Sequence, residues 1–216
     1  MVRRELIGVM ATSVKICGIT RVEDAIAAVR LGAHALGFVF CAASPRCVTP
    51  EHAAAIVRKL PPFVAAVGLF VNAEPAAVQG VLEQVPLSLL QFHGEETPEM
   101  CGQYRVPYIK AVRVKAGVDL LQYAQLYSAG RGLLLDAYVE RAHGGTGTVF
   151  DWRLIPRELP LPIILSGGLN SVNVGAAIRG VRPAGVDVSS GVEASPGIKD
   201  PQKIAAFMKE VRSADV

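Results

Sequence analysis

The stretch Val14-Lys15-Ile16-Cys17-Gly18 begins the regular part of the chain and sets the pattern from which its fold can be read. Its apolar residues are β-branched and its glycine supplies a turn, the signature of a short strand. Seven later runs repeat the pattern, so strands are predicted over 14–18, 35–40, 65–71, 87–92, 108–113, 132–136, 163–166 and 185–189. Ala-rich segments with helical spacing lie between them. Pro50, Pro75 and Pro201 stand at helix-opening positions, and Ser171 is the candidate cap of a helix over 172–179. Only 151–155 reads as short or irregular. Strand starts recur every ~20–30 residues, the length of a strand–helix–strand unit. Eight alternating units predict an α/β fold, a single (β/α)8 TIM barrel over residues 14–216, with residues 1–13 as an N-terminal extension. An open doubly wound sheet is the alternative, but it normally uses fewer units or leaves edge strands.

The 216 residues are 51% hydrophobic and 19% charged, which suits one large core rather than a disordered chain. The net charge of +3 is mild and its Lys and Arg are scattered, which argues against nucleic acid as a partner and suits a small anionic substrate. Cys17, Cys41, Cys47 and Cys101 form no Cys-x-x-Cys pair, and no His stands beside them at ligand spacing, so no metal is expected. Free thiols suit a reducing compartment. The apolar run 6–11 follows Glu5 and lacks a cleavage site, and no run approaches the ~18 apolar residues of a membrane span. The expectation is a cytoplasmic protein without a membrane partner, a monomer ahead of a homodimer.

In a barrel, function gathers where strands end and loops begin. Polar residues and glycines concentrate there: Cys17-Gly18, Ser44-Pro45-Arg46, Gln91-Phe92-His93-Gly94, Asp136, Ser166-Gly167-Gly168 and Ser189-Ser190-Gly191. Either glycine loop alone could be a tight turn. Together, after strands 7 and 8, they mark a phosphate site built from backbone N–H groups. Side chains alternate along a strand, so placing Cys17 and Asp136 inward sends Ile16, Leu133, Leu135, Val186 and Val188 to the helices. Lys15 then faces the interior, where an unpaired ammonium is costly, and Asp187 on strand 8 is its natural partner. A lone thiol after an apolar run is ordinarily inert packing. Facing a carboxyl across a barrel mouth, it suits paired acid and base work instead. Arg46, stiffened by Pro45, is either a carboxylate grip or a solvated cation. His93 either lines the pocket or packs. The loop His143-Gly144-Gly145-Thr146-Gly147 has the glycine content to fold over a substrate.

An ordered set of motifs resembles the phosphoribosylanthranilate isomerase family. It comprises Lys15-Ile16-Cys17-Gly18, Gly37-Phe38-Val39-Phe40 with Ser44-Pro45-Arg46, Gln91-Phe92-His93-Gly94 and Leu135-Asp136. It continues with Gly144-Gly145-Thr146-Gly147 and Phe150-Asp151-Trp152, Ser166-Gly167-Gly168-Leu169, and 187–193. Phe92 replaces a frequent leucine, a conservative change. The resemblance implies a cofactor-free Amadori rearrangement of a phosphorylated small molecule in tryptophan biosynthesis. It implies Asp136 as general acid and Cys17 as general base, with Arg46 on the anthranilate carboxylate and Asp187 on a sugar hydroxyl. His93 and Gly145 would line the substrate site, and Gly167, Gly168, Ser190 and Gly191 would hold the phosphate. Other phosphosugar barrels fit less well. The histidine-pathway aminoaldose isomerase has a carboxylate where Cys17 stands, and triose phosphate isomerase needs a glutamate and a histidine that are not found. A non-catalytic phosphate-binding barrel would need the loops but not Cys17 and Asp136.

Overall fold

A computed structural model describes residues 11–115, 117–137, 151–156 and 158–215. Eight parallel strands close into a barrel in chain order. They are β1 (Ser13–Cys17), β2 (Ala35–Val39), β3 (Ala65–Phe70), β4 (Leu89–Phe92), β5 (Tyr108–Val114), β6 (Leu133–Ala137), β7 (Ile163–Leu165) and β8 (Gly185–Val188). The helices outside are α1 (Val22–Leu31), α2 (Pro50–Val57), α3 (Pro75–Gln84), α4 (Pro98–Gly102), α5 (Leu120–Leu126), α6 (Val174–Val181) and α7 (Pro201–Ala214). Between β6 and β7 the described part of the connection holds one 3-10 turn, Trp152–Leu154, in the segment read as irregular. The open-sheet alternative is set aside by the β1–β8 pairing, which joins Lys15 to Asp187 and Ile16 to Val188 in register.

Helix starts follow local chemistry. Proline opens α2, α3, α4 and α7, where its missing N–H costs nothing. Thr49, Thr97 and Asp200 cap three of these by accepting from backbone N–H groups of the first turn. Alternation sorts the interior as expected. Ile16, Leu133, Leu135, Val186 and Val188 join the layer under the helices with Ile204 and Phe207. Cys17, Val39 and Leu69 pack inside the barrel near its carboxyl end, and Ile109, Ala111 and Leu134 form a second interior cluster.

Three local readings are corrected. Ser171 does not cap α6: the helix starts at Val174 after Asn173, and the turn before it is held by the Asn170 and Asn173 side chains. The sequence pattern predicts helices over 51–60 and 98–104, whereas α2 and α4 end earlier, at Val57 and Gly102. Beyond β8 the chain adds a 3-10 turn, Ser190–Val192, and a small hairpin of β9 (Glu193–Ser195) and β10 (Ile198–Lys199). Thr12 donates from its backbone to Asp215 beyond α7, whereas residues 1–10 of the expected extension lie outside the described residues.

Candidate active site

A cavity of about 350 Å³ opens at the carboxyl ends of the strands. Cys17, Arg46, His93, Asp136, Gly167, Gly168, Asp187 and Ser190 all line it. Gly191 stands just behind, where a Cβ would run into the Leu169 carbonyl oxygen, so only glycine lets these two loops meet. Gly145, with the rest of the loop 143–147, lies outside the described residues.

Cys17 ends β1 and is 5% exposed. The neighbouring Lys15 ammonium donates to Asp187 Oδ1 at 2.9 Å, the contact expected from alternation. Gly37, opposite Cys17 in register, makes the room. A Cβ there would lie 2.8 Å from the Cys17 sulfur and 3.0 Å from Lys15 Nζ. Burial pushes the thiol above its ordinary range, and Lys15 opposes that without reversing it. Burial also works against the Lys15 charge, but Asp187 and Cys17 outweigh it and raise its pKa to about 12. Ser166 Oγ donates to the other Asp187 oxygen at 3.3 Å.

Asp136 ends the leucine run of β6 and is 5% exposed. His93 Nε2 meets its Oδ2 at 3.1 Å, and Gln91 Nε2 meets His93 Nδ1 at 2.8 Å. Thus His93 is a polar lining residue rather than packing. Its loop is fixed by the buried Glu96, which accepts from the Asn72 and Gly94 backbones and from Lys110 Nζ.

Arg46 is not a solvated cation. Its Nε and Nη2 grip Glu193 at 2.8 and 2.7 Å in a bidentate pair. The fully buried Lys199 donates to the same carboxylate at 2.8 Å. Burial pushes Glu193 up and Lys199 down; Arg46 and Lys199 together hold the carboxyl below its usual range, while the Lys199 ammonium stays lowered. Gly167 and Gly168 both adopt positive φ, at 81° and 68°, which turns successive backbone groups into a concave loop beside Ser189 and Ser190.

Sequence reasoning left Gln91, Glu193, Lys199 and Arg113 without roles. Arg113 is in phase with the inward Ile109 and Ala111 and lines the cavity, so alternation alone could have found it. The Pro196-Gly197 turn signal could have disclosed the hairpin that carries Glu193 and Lys199. Among the described residues no group of His, Cys, Asp and Glu could hold a metal ion, and no helix is long and apolar enough to cross a membrane.

Comparison with known proteins bears on this site. A family model described as N-(5'-phosphoribosyl)anthranilate (PRA) isomerase matches residues 14–210. The N-(5'-phosphoribosyl)anthranilate isomerase of Nitrosospira multiformis is 60% identical over 202 residues, covering 94% of this chain and 97% of the relative. A crystal structure of phosphoribosyl anthranilate isomerase in complex with reduced 1-(o-carboxyphenylamino)-1-deoxyribulose 5-phosphate is 45% identical. It superposes with a TM-score of 0.84 over 94% of this chain and 99% of that one. A structure of monomers generated from the dimeric enzyme of Thermotoga maritima is 43% identical, with a TM-score of 0.83 over 94% and 99% of the two chains.

Proposed function

The chain belongs to the N-(5'-phosphoribosyl)anthranilate isomerase family, and from that premise we propose that Asp136 and Cys17 carry its reaction as general acid and general base. The reaction converts N-(5'-phosphoribosyl)anthranilate to 1-(2-carboxyphenylamino)-1-deoxyribulose 5-phosphate, a step of tryptophan biosynthesis. Asp136 gives a proton to the ring oxygen as its bond to the first sugar carbon breaks, leaving an open-chain Schiff base. Cys17, as thiolate, removes the proton from the second sugar carbon. The resulting enolamine takes a proton at the first carbon and becomes the ketone. The proton gained by the first carbon is matched by the one its neighbour's enol hydroxyl loses, and the proton given to the ring oxygen by the one Cys17 takes, so atoms balance and the chemistry is an internal redox exchange.

One observation carries this reading: a buried thiol and a buried carboxyl line one cavity with the glycine loops of β7 and β8. Those loops suit the phosphate, with backbone N–H groups near Gly167, Gly168, Ser190 and Gly191 as donors. Asp187, shared between Lys15 and Ser166, faces the sugar. Glu193 orients the Arg46 plane and leaves its Nη1 side for the anthranilate carboxylate. His93 completes the described wall of the substrate site, and Gly145 is assigned to the substrate from the sequence resemblance alone. A monomer in the cytoplasm fits the free thiols and the placement of the most exposed large apolar side chains among the described residues, Phe63 in the turn before β3 and Val172 in the loop after β7. A dimer by light scattering at working concentration would overturn the monomer.

The test follows the loss of phosphoribosylanthranilate fluorescence. Cys17→Ala and Asp136→Asn should each lower kcat by about 10²–10⁴-fold with the fold intact, since each removes a proton-transfer group. Near-parental turnover in either would refute the assignment. Tight product binding without turnover in the unsubstituted protein would favour a binding barrel instead.

A further inference from the structure

Lys199 is held in place independently of the substrate loops. It stands on β10 opposite Glu193 of β9, and its backbone N–H donates to Oδ2 of the buried Asp24 at 2.9 Å. Its ammonium donates to Glu193 Oε1 at 2.8 Å. Two further contacts reach the chain just beyond β8, to Ser189 O at 3.2 Å and to Ser189 Oγ at 3.5 Å. An ammonium has three hydrogens, so these three acceptors use all of them. The Lys199 side chain is fully buried and does not line the cavity, whereas Ser189 and Ser190 do. The Ser189 carbonyl therefore points away from the cavity, toward the buried ammonium behind the loop.

The Ser189 dihedrals, φ −123° and ψ −85°, belong to neither a strand nor a helix, so no ladder fixes this carbonyl. The Val192 N–H donates to it at 3.3 Å, and Lys199 is its second, charged donor. The peptide from Ser189 to Ser190 is trans, and in a trans peptide the carbonyl and the following N–H point in opposite directions. Holding the Ser189 oxygen against Lys199 thus turns the Ser190 N–H toward the cavity. We propose that Lys199 is a positioning residue that aims the Ser190 N–H at the substrate phosphate without touching the phosphate itself. The inference rests on the phosphate role proposed for this loop. The ammonium acts through the peptide, while its own charge is matched by Glu193. A peptide turned the other way would present its oxygen to the cavity, an acceptor facing an anion.

Lys199→Met keeps the length and removes every donor hydrogen. Inhibition of turnover in the full chain, with inorganic phosphate and anthranilate as separate probes, reads the two anion subsites apart. The phosphate inhibition constant should rise about tenfold, the lower end of what a hydrogen bond to a charged group contributes, because Val192 still holds the carbonyl. The anthranilate constant should change little, since the bidentate Arg46–Glu193 pair is kept. A through-space loss of positive charge would instead weaken both anions, and anthranilate more, because Glu193 stands against Arg46. In 15N–1H spectra, phosphate should move the Ser190 amide proton downfield in the unsubstituted chain and much less in Lys199→Met. An unaltered phosphate constant, or equal weakening of both anions, would overturn the proposal. If Lys199→Met fails to fold, the unsubstituted chain decides. Phosphate that shifts the Gly167 and Gly168 amides and leaves Ser190 unmoved removes the role of Lys199 while the phosphate reading stands. Phosphate that shifts none of these amides and does not inhibit overturns both.

Discussion

Lys15→Met keeps the length of a buried side chain and removes its charge, which isolates what the ammonium does. Lys15 and Asp187 are 7% and 5% exposed, so neither charge can turn to water when its partner is lost. Only the 3.3 Å bond from Ser166 is then left on the Asp187 carboxylate among the contacts described above. Breaking a buried pair on one side costs about 3–5 kcal/mol. For a domain of this size each kcal/mol moves Tm by roughly 2–4 °C, so a fall of about 6–20 °C is expected by calorimetry. The double variant Lys15→Met with Asp187→Leu should regain much of that, because it removes both charges together. A second readout concerns the thiol. Lys15 pulls the Cys17 pKa down against the larger upward push of burial, so its loss should move the pH dependence of iodoacetamide alkylation at Cys17 to more alkaline values and lower kcat. A Tm within about 2 °C of the parent would refute the stabilising role, since even the low end of the expected cost exceeds it. An unmoved alkylation profile would refute the electrostatic one.

The other expectations are shorter. The folded Lys15 pKa lies above its ordinary 10.5, at about 12, so its contribution is complete below pH 10.5 and is lost as pH rises through 12. The raised Cys17 thiol acts in the same direction from about pH 9, so urea midpoints should fall steadily above that pH, and flat midpoints to pH 12 would contradict both shifts. Gly191→Ala drives a Cβ into the Leu169 carbonyl and should spread the phosphate loops, raising KM about tenfold, equivalent to ~1.4 kcal/mol; an unchanged KM would detach Gly191 from the site. Glu193→Gln leaves Arg46 and the buried Lys199 without their shared carboxylate, and both Tm and affinity for the product should fall, as thermal shift and product titration would show.

The legible part of the structure is the part with a period. Alternation within strands placed Cys17, Asp136 and Lys15 inside the barrel. Closure of β8 on β1 then paired Lys15 with Asp187 across 172 residues of chain. Contacts made by loops carry no such period. Arg46 meets Glu193 only because the chain turns through a 3-10 segment and a hairpin after β8, and the route of a short hairpin is set by tertiary packing. The His93–Asp136 contact also escaped notice, although both residues were singled out, because it depends on how far a loop side chain reaches back over the strand ends. At α6 two asparagines hold the entry turn, so the hydroxyl of Ser171 is not needed as a cap.

These pairings have a common consequence for an anionic substrate. Carboxylates of Asp187 and Asp136 line the cavity and that of Glu193 stands against the lining Arg46, and each would repel a phosphate or an anthranilate carboxylate in a low-dielectric space. Asp187 is matched by Lys15, Glu193 by Arg46 and Lys199, and Asp136 accepts from His93. Repulsion from the first two is thereby largely cancelled, and that from Asp136 is eased. Because strand register and the hairpin fix Lys15 and Lys199 against their acids, neither is at liberty to swing toward the phosphate. Under the function proposed above, the phosphate is left to backbone N–H groups of the Ser190 loop and of the Gly167-Gly168 loop, the latter turned by positive φ rather than carried on flexible side chains. Arg113 lines the same cavity and makes no ion pair among the described residues, so its charge remains to attract the entering anion. The site can therefore draw in a highly charged substrate without surrendering the pairs that keep Cys17 and Asp136 in place.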